Sequence, residues 1–236
     1  MIIAAIGAGG KTTLCNHIGK SLARTGHRAL FTTTTKIFMP QDSLLYLGPA
    51  ENIRSLGPFM TAAKGILSSG KLEGYSTEDI SAIAEVGLFD DIIVEADGAA
   101  RMPIKAPNDT EPVYPISVDL IIGVVGLDSI GQPIDDQHVH RAALFSDITQ
   151  APLGAAITPQ HIVRLISHPN GLFRHAPADT PRIVFLNKCD TMDEEVGIQA
   201  QDIIRQSPYP VMLTGYHTDW FGTFFQQYLQ GDSHAY

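Results

Sequence analysis

Cysteine, tryptophan, clustered basic charge and long apolar runs are all scarce in this chain. Its two cysteines, Cys15 and Cys189, are too few for a disulfide framework and too far apart in sequence to suggest a ligand pair. A reducing, cytoplasmic setting is expected. The longest apolar stretch, Leu120 to Leu127, is broken by glycine and falls far short of the roughly 20 residues that a membrane span needs. Lys and Arg total 16 against 25 Asp and Glu, a net charge of −9, and no basic cluster occurs. A nucleic-acid partner is therefore not expected, because duplex binding calls for a positive patch or stripe. Met1–Ile6 is apolar, yet it lacks a basic n-region and runs directly into glycines, so it reads as a first strand and not as a signal peptide.

What the chain does have is 236 residues, 44% of them hydrophobic and evenly spread, enough for a single domain over 1–236. Strand and helix patterns alternate, which predicts α/β with a mainly parallel sheet. Strands are expected at Ile2–Ile6, Arg28–Thr35, Ile92–Val94, Leu120–Val125, Ile183–Leu186 and Val211–Leu213. A helix is expected at Lys11–Arg24, where Leu14, Ile18 and Leu22 recur at helical spacing, and another after the capping box Ser76/Asp79. Further helices are expected at Asp136–Ser146, Thr158–Ser167 and Asp193–Gln206. Residues 37–74, punctuated by Gly and Pro, read as an irregular insertion after the second strand, and Pro103–Pro115 as a loop. A last helix gathers Trp220, Phe221, Phe224, Phe225 and Tyr228 on one face, to pack on the sheet or alternatively on a second copy.

The segment Gly7-Ala8-Gly9-Gly10-Lys11-Thr12-Thr13 lies between the first strand and the first helix. Such a loop aims backbone N–H groups and a helix N-terminus at phosphates, where bulky side chains would block approach. Lys11 would reach the β- and γ-phosphates, and the Thr12 hydroxyl would bind Mg²⁺. Only the first position of the G-x-x-x-x-G-K-[ST] template departs, since Ala5 stands there. The expected architecture is thus the three-layer P-loop NTPase fold.

Asn187-Lys188-Cys189-Asp190 follows a late hydrophobic strand and matches the N-K-x-D tetrapeptide with which GTPases read guanine. A carboxylate at Asp190 would accept from guanine N1–H and N2, and adenine would leave it unpaired, a difference of roughly 1.5–3 kcal/mol. Lys188 would lie over the base, and Asn187 would tie this loop to the P-loop. The alternative is a capped turn in which Asp190 begins the next helix. Leu213-Thr214-Gly215 is where a second base-contacting loop would fall.

The strand at Asp91–Val94 ends in Glu95 and Asp97, which alternation places on one face. Glu95 is the expected metal-side residue, with Lys11, Glu95 and Asp97 as the catalytic set; Asp97 can alternatively be a turn former beside Gly98. Thr34, Thr35 and Lys36 close the second strand at the same edge and are candidates for sensing the γ-phosphate, and Arg101 is a candidate internal arginine finger. Every loaded segment falls at the C-terminal end of a predicted strand, where open α/β sheets bind ligands.

Taken together, Gly7–Thr13, Thr33–Ile37, Glu95–Gly98, Lys105–Pro107, Glu111–Val113, Gly126–Asp128, Val139–Arg141 and Asn187–Asp190 resemble the YqeC family, accessory proteins of selenium-dependent molybdenum hydroxylases. The resemblance implies a P-loop protein tied to biosynthesis or insertion of a selenium- and molybdenum-containing cofactor, with that cofactor or its hydroxylase as partner. It also implies a second, substrate-side site at Lys105, Glu111, His138, His140 and Arg141, where Lys105 and Arg141 would anchor an anion and the histidines are weak candidates for metal. Many metal-insertion GTPases carry an extra lysine early in the loop, whereas Ile6 stands there in this chain.

The expected activity is Mg²⁺-dependent GTP binding, with ATP still open, and slow intrinsic hydrolysis at roughly 10⁻⁴ to 10⁻² s⁻¹. The alternatives are a kinase or nucleotide-activating ligase acting on the cofactor, and a nucleotide-gated binding module without turnover.

Overall fold

The computed structural model describes residues 1–40 and 43–229. In chain order the elements are β1 (Ile2–Gly7), α1 (Lys11–Arg24), β2 (Ala29–Thr33), β3 (Lys36–Phe38), β4 (Leu44–Leu47), β5 (Phe59–Ala63), β6 (Gly65–Ile66), β7 (Lys71–Glu73) and α2 (Thr77–Glu85). There follow β8 (Asp91–Glu95), β9 (Ile104–Lys105), β10 (Leu120–Gly126), β11 (Val139–His140), α3 (Ala142–Thr149), α4 (Pro159–Ser167), β12 (Arg182–Asn187), α5 (Glu194–Gln206), β13 (Val211–Thr214) and α6 (Phe221–Phe224).

Eight strands form one sheet in the order β13-β12-β10-β1-β8-β2-β5-β4, and each neighbouring pair is parallel. Parallel strands buried on both faces read as unbroken hydrophobic runs, and β10, Leu-Ile-Ile-Gly-Val-Val-Gly, is buried at all seven positions. Alternation along β1 sorts the layers. Ala4 and Ile6 pack with Phe145, Ile162, Leu165 and Ile203 of α3–α5, and Ile2 packs with Ile80 and Ile83 of α2. Ile3 and Ala5 point the other way, to Leu14, Ile18 and Leu22 of α1 and to the C-terminal aromatics. The result is the expected three-layer α/β architecture of P-loop type, with a mainly parallel sheet.

Residues 37–74, read as an irregular insertion, hold short strands, and two of them widen the main sheet: β5 pairs with β2 and β4 with β5. The others, β3, β7 and β6, make a small antiparallel sheet beside it.

The helix expected at Asp136–Ser146 is corrected. Asp135 Oδ1 accepts from the Gln137 and His138 amides, Val139–His140 pairs with β9, and α3 starts only at Ala142. That carboxylate-closed turn competes successfully with helix initiation upstream. β2 ends two residues earlier than expected, at Thr33, whose hydroxyl donates to the Glu95 carbonyl oxygen. The last aromatic helix is one turn of α6 continued by a π-helical turn, Phe225–Leu229, packed against the α1 face of the sheet. Among the described residues no helix is long and apolar enough to cross a membrane.

Candidate nucleotide site

The loop between β1 and α1 is shaped by glycines that no other residue replaces cheaply. Gly9 has φ +91°, and a Cβ there would lie 2.3 Å from the Gly126 amide nitrogen. Gly10, at φ +111°, caps α1 without any side-chain hydrogen bond, so nothing in the loop competes for the first-turn amides. The Ala8 and Gly9 amides are already committed, donating to the Val124 and Met102 carbonyls at 2.9 and 3.1 Å. The amides of Lys11, Thr12 and Thr13, in the first turn, have no acceptor within the helix. They form an anion cradle at the positive end of α1.

Lys11 is only 3% exposed. Its Nζ donates to the Gly7 carbonyl at 2.6 Å and sits 2.9 Å from Asp97 Oδ1 and 3.6 Å from Glu95 Oε1. Burial opposes the Lys11 charge, but Asp97 and Glu95 outweigh it and raise its pKa. The Thr12 hydroxyl donates to Glu95 Oε2 at 2.8 Å, and burial holds the Glu95 carboxyl above its ordinary value against the pull of Lys11 and Thr12. Thr12 and Glu95 thus bring two hard oxygen donors together beside the cradle, a donor set that suits Mg²⁺.

A cavity of about 830 Å³ opens from this cradle. Its walls come from segments that follow the C-terminal ends of strands: Lys36–Pro40 after β2, Glu95 and Gly98–Met102 after β8, Lys188 after β12 and Tyr216 after β13. Gly9–Thr13, Glu95, Lys36, Arg101 and Lys188 all line it. Gly7 and Ala8 lie beneath the loop, buried.

Asn187 ties the two ligand loops together. Its Nδ2 donates to the Gly9 carbonyl at 2.8 Å, and its Oδ1 accepts from Thr214 at 3.1 Å. Lys188, held at φ +69°, pairs with Asp128 at 2.5 Å. Asp190 is exposed and does not line the cavity; its Oδ2 accepts from the Tyr216 and His217 amides at 3.1 and 3.4 Å, which shapes the loop after β13.

Several other expected residues face elsewhere. Thr34 donates to the Val113 carbonyl, and the Thr35 hydroxyl lies 3.2 Å from that of Thr33, so both tie strand ends and leave the cavity to Lys36. Asp97, 1% exposed, lies behind the P-loop, where it accepts from the Gly7 amide at 2.9 Å and pairs with Lys11 and Lys105. Lys105 continues to Glu111 at 3.0 Å, and Glu111 to Arg141 at 2.6 Å. The residues expected to grip a substrate therefore grip one another. His140 adjoins this chain of charges, where burial, then Arg141 and Lys105, lower its pKa. His138 Nδ1 lies 2.7 Å from Asp135, and among the described residues no group of three or more His, Cys, Asp or Glu is gathered for a metal. Burial pushes both the Cys15 and the Cys189 thiol up, which disfavours the reactive thiolate.

Sequence reasoning missed Phe38, Lys71 and Tyr216, and a polar stripe of α1, Asn16, Lys20 and Arg24, that also lines the cavity. The stripe had a signal, since its residues recur every fourth position. Phe38, Lys71 and Tyr216 had none.

A family model described as YqeC protein matches residues 3–143. A curated relative from Escherichia coli (strain K12), described as uncharacterized protein YqeC, is 34% identical over 199 residues, covering 79% of this chain and 75% of the relative. Among solved structures, the MinC:MinD cell division protein complex of Aquifex aeolicus is similar with a TM-score of 0.44 at 14% identity, over 89% of this chain and 78% of that one.

Proposed function

The chain belongs to the YqeC family, and from that premise we propose that it is a Mg²⁺-dependent nucleotide-binding protein that prefers GTP and hydrolyses it slowly. The observation that carries this reading is the cradle: three first-turn amides, Lys11 and the Thr12–Glu95 pair converge at one end of an 830 Å³ cavity. Thr12 and Glu95 would hold Mg²⁺, which supplies charge neutralisation at the phosphates. Lys11 would exchange its contacts with Asp97 and the Gly7 carbonyl for phosphate oxygens. Asp97 acts here as a positioning residue that keeps Lys11 charged and aligned. The motif resemblance gives the biological setting we propose, accessory work for a selenium- and molybdenum-containing cofactor.

The preference for guanine rests on Asn187–Asp190. Asn187 joins the P-loop to this loop, and Lys188 and Tyr216 stand on the cavity wall where a base would lie. Competition between GTP and ATP with Mg²⁺, measured on wild type and on Asp190→Asn, tests it. GTP should win on wild type, and the variant should shift toward the xanthosine nucleotide. ATP binding equal to or better than GTP, and untouched by the substitution, would leave Asp190 as a loop-shaping residue and remove the guanine assignment.

A further inference from the structure

The chain carries a net charge of −9, yet seven of its sixteen Lys and Arg line this cavity, against one carboxylate, Glu95, among the described residues. A nucleotide cradle uses Lys11, and Lys188 is already paired with Asp128. Of the other five, Lys20 and Arg24 belong to α1, whereas Lys36, Lys71 and Arg101 line the part of the wall that carries Phe38. The Arg101 guanidinium carbon lies 4.0 Å from the centre of the Phe38 ring and the Lys71 ammonium 4.8 Å from it. None of the three has a carboxylate within ion-pair distance among the described residues. Arg101 and Lys71 are like charges on one ring, and neither is paired with a carboxylate among the described residues, so the ring's attraction is set against their mutual repulsion. A bound anion would relieve that repulsion.

The backbone here is also unusual. Ala100 and Arg101 are consecutive non-glycine residues at positive φ, +48° and +64°. Such conformations persist where the surroundings enforce them, and they cluster at ligand sites. Sheet order fixes the direction. The base-side loops follow β12 and β13 on one side of β1, while Lys36, Lys71 and Arg101 belong to segments that follow β2, β5 and β8 on the other.

We propose that Lys36, Lys71 and Arg101 form a second anion subsite of the cavity, which takes a phosphorylated small molecule at the end opposite the base. Arginine's planar fork, with two ammonium groups lining the same cavity, matches a dianionic phosphate better than a monoanionic carboxylate. The subsite deepens the nucleotide reading and rests on it for its neighbour. It also relocates the anion anchor from Lys105 and Arg141, whose charges are spent on Asp97 and Glu111.

The test is calorimetric titration of inorganic phosphate, at fixed ionic strength, into protein saturated with Mg²⁺ and a non-hydrolysable GTP analogue. One further phosphate should bind per chain. Arg101→Gly combined with Lys71→Ala should weaken it at least tenfold, whereas Arg54→Ala combined with Lys64→Ala, outside the cavity, should not. Glycine suits the backbone at 101, so the melting temperature should hold or rise, which separates lost binding from lost folding. A parallel titration on Lys11→Ala without nucleotide should still find the subsite. If nucleotide binding fails but this phosphate site is found, the subsite stands and the nucleotide reading falls. Absence of phosphate binding in both titrations, equal loss in the control pair, or acetate competing as well as phosphate would each overturn the proposal.

Discussion

At Lys105 a full positive charge is buried to 1% exposure, and the carboxylates on either side of it make that tolerable. The sequence of contacts runs Glu95, Lys11, Asp97, Lys105, Glu111, Arg141, alternating in sign from the phosphate cradle to the N-terminus of α3. Burial alone would push the Glu111 carboxyl upward, but Lys105 and Arg141 outweigh it and hold it down to about 2. A depressed carboxyl pKa stabilises the fold fully above its unfolded value near 4.5, and this contribution is lost as pH falls toward 2. Glu111→Gln should therefore cost on the order of 2 kcal/mol at neutral pH and flatten the decline of stability between pH 4.5 and 2. Urea denaturation across that range reads both effects, and parallel curves for the two proteins would refute them. The individual residues were visible in the sequence as motif segments. Their pairing was not, because it depends on β9 and β11 lying side by side.

Elements with a clean period were legible and those closed by long-range contacts were not. The apolar run of β1 and the Leu14, Ile18, Leu22 spacing of α1 were enough to place the phosphate loop between them. The stretch before α3 looked helical until Asp135 and the pairing with β9 took its backbone. The joining of β4 and β5 to the main sheet rests on parallel pairing across the chain, which no local pattern announces. The C-terminal aromatic segment was legible as a packing face. Trp220, 5% exposed, stands 5.3 Å from the Phe185 ring and 5.1 Å from His17 of α1, and its indole N–H donates to the Gly215 carbonyl at 3.3 Å. Trp220→Ala should cost about 3–5 kcal/mol, and Trp220→Phe much less, because the second keeps most of the buried ring. Thermal denaturation followed by far-UV circular dichroism measures the difference. Equal losses would show that the Gly215 hydrogen bond, and not ring packing, holds the segment.

Charge is distributed across the whole molecule in a way that composition conceals. An acidic chain would ordinarily repel a polyphosphate, yet the cavity gathers Lys11, Lys20, Arg24, Lys36, Lys71, Arg101 and Lys188 at one edge of the sheet. The fold makes this possible, since parallel strands deliver all their following loops to the same edge and α1 adds its polar stripe beside them. A concave wall of one sign focuses the field and speeds capture of an oppositely charged ligand, an effect that salt screens over roughly 8–10 Å. Association of Mg²⁺-nucleotide should therefore slow as ionic strength rises from 0.02 to about 0.5 M, by roughly tenfold, with dissociation changing less. Lys20→Gln combined with Arg24→Gln, on the α1 stripe, should reduce the salt slope without removing binding, because both lie beyond the first-turn amides. Stopped-flow measurement with a fluorescent nucleotide checks the prediction. An association rate that ignores salt, or rises with it, would mean that the net charge of −9 governs the encounter and that the cavity's cations act only at contact.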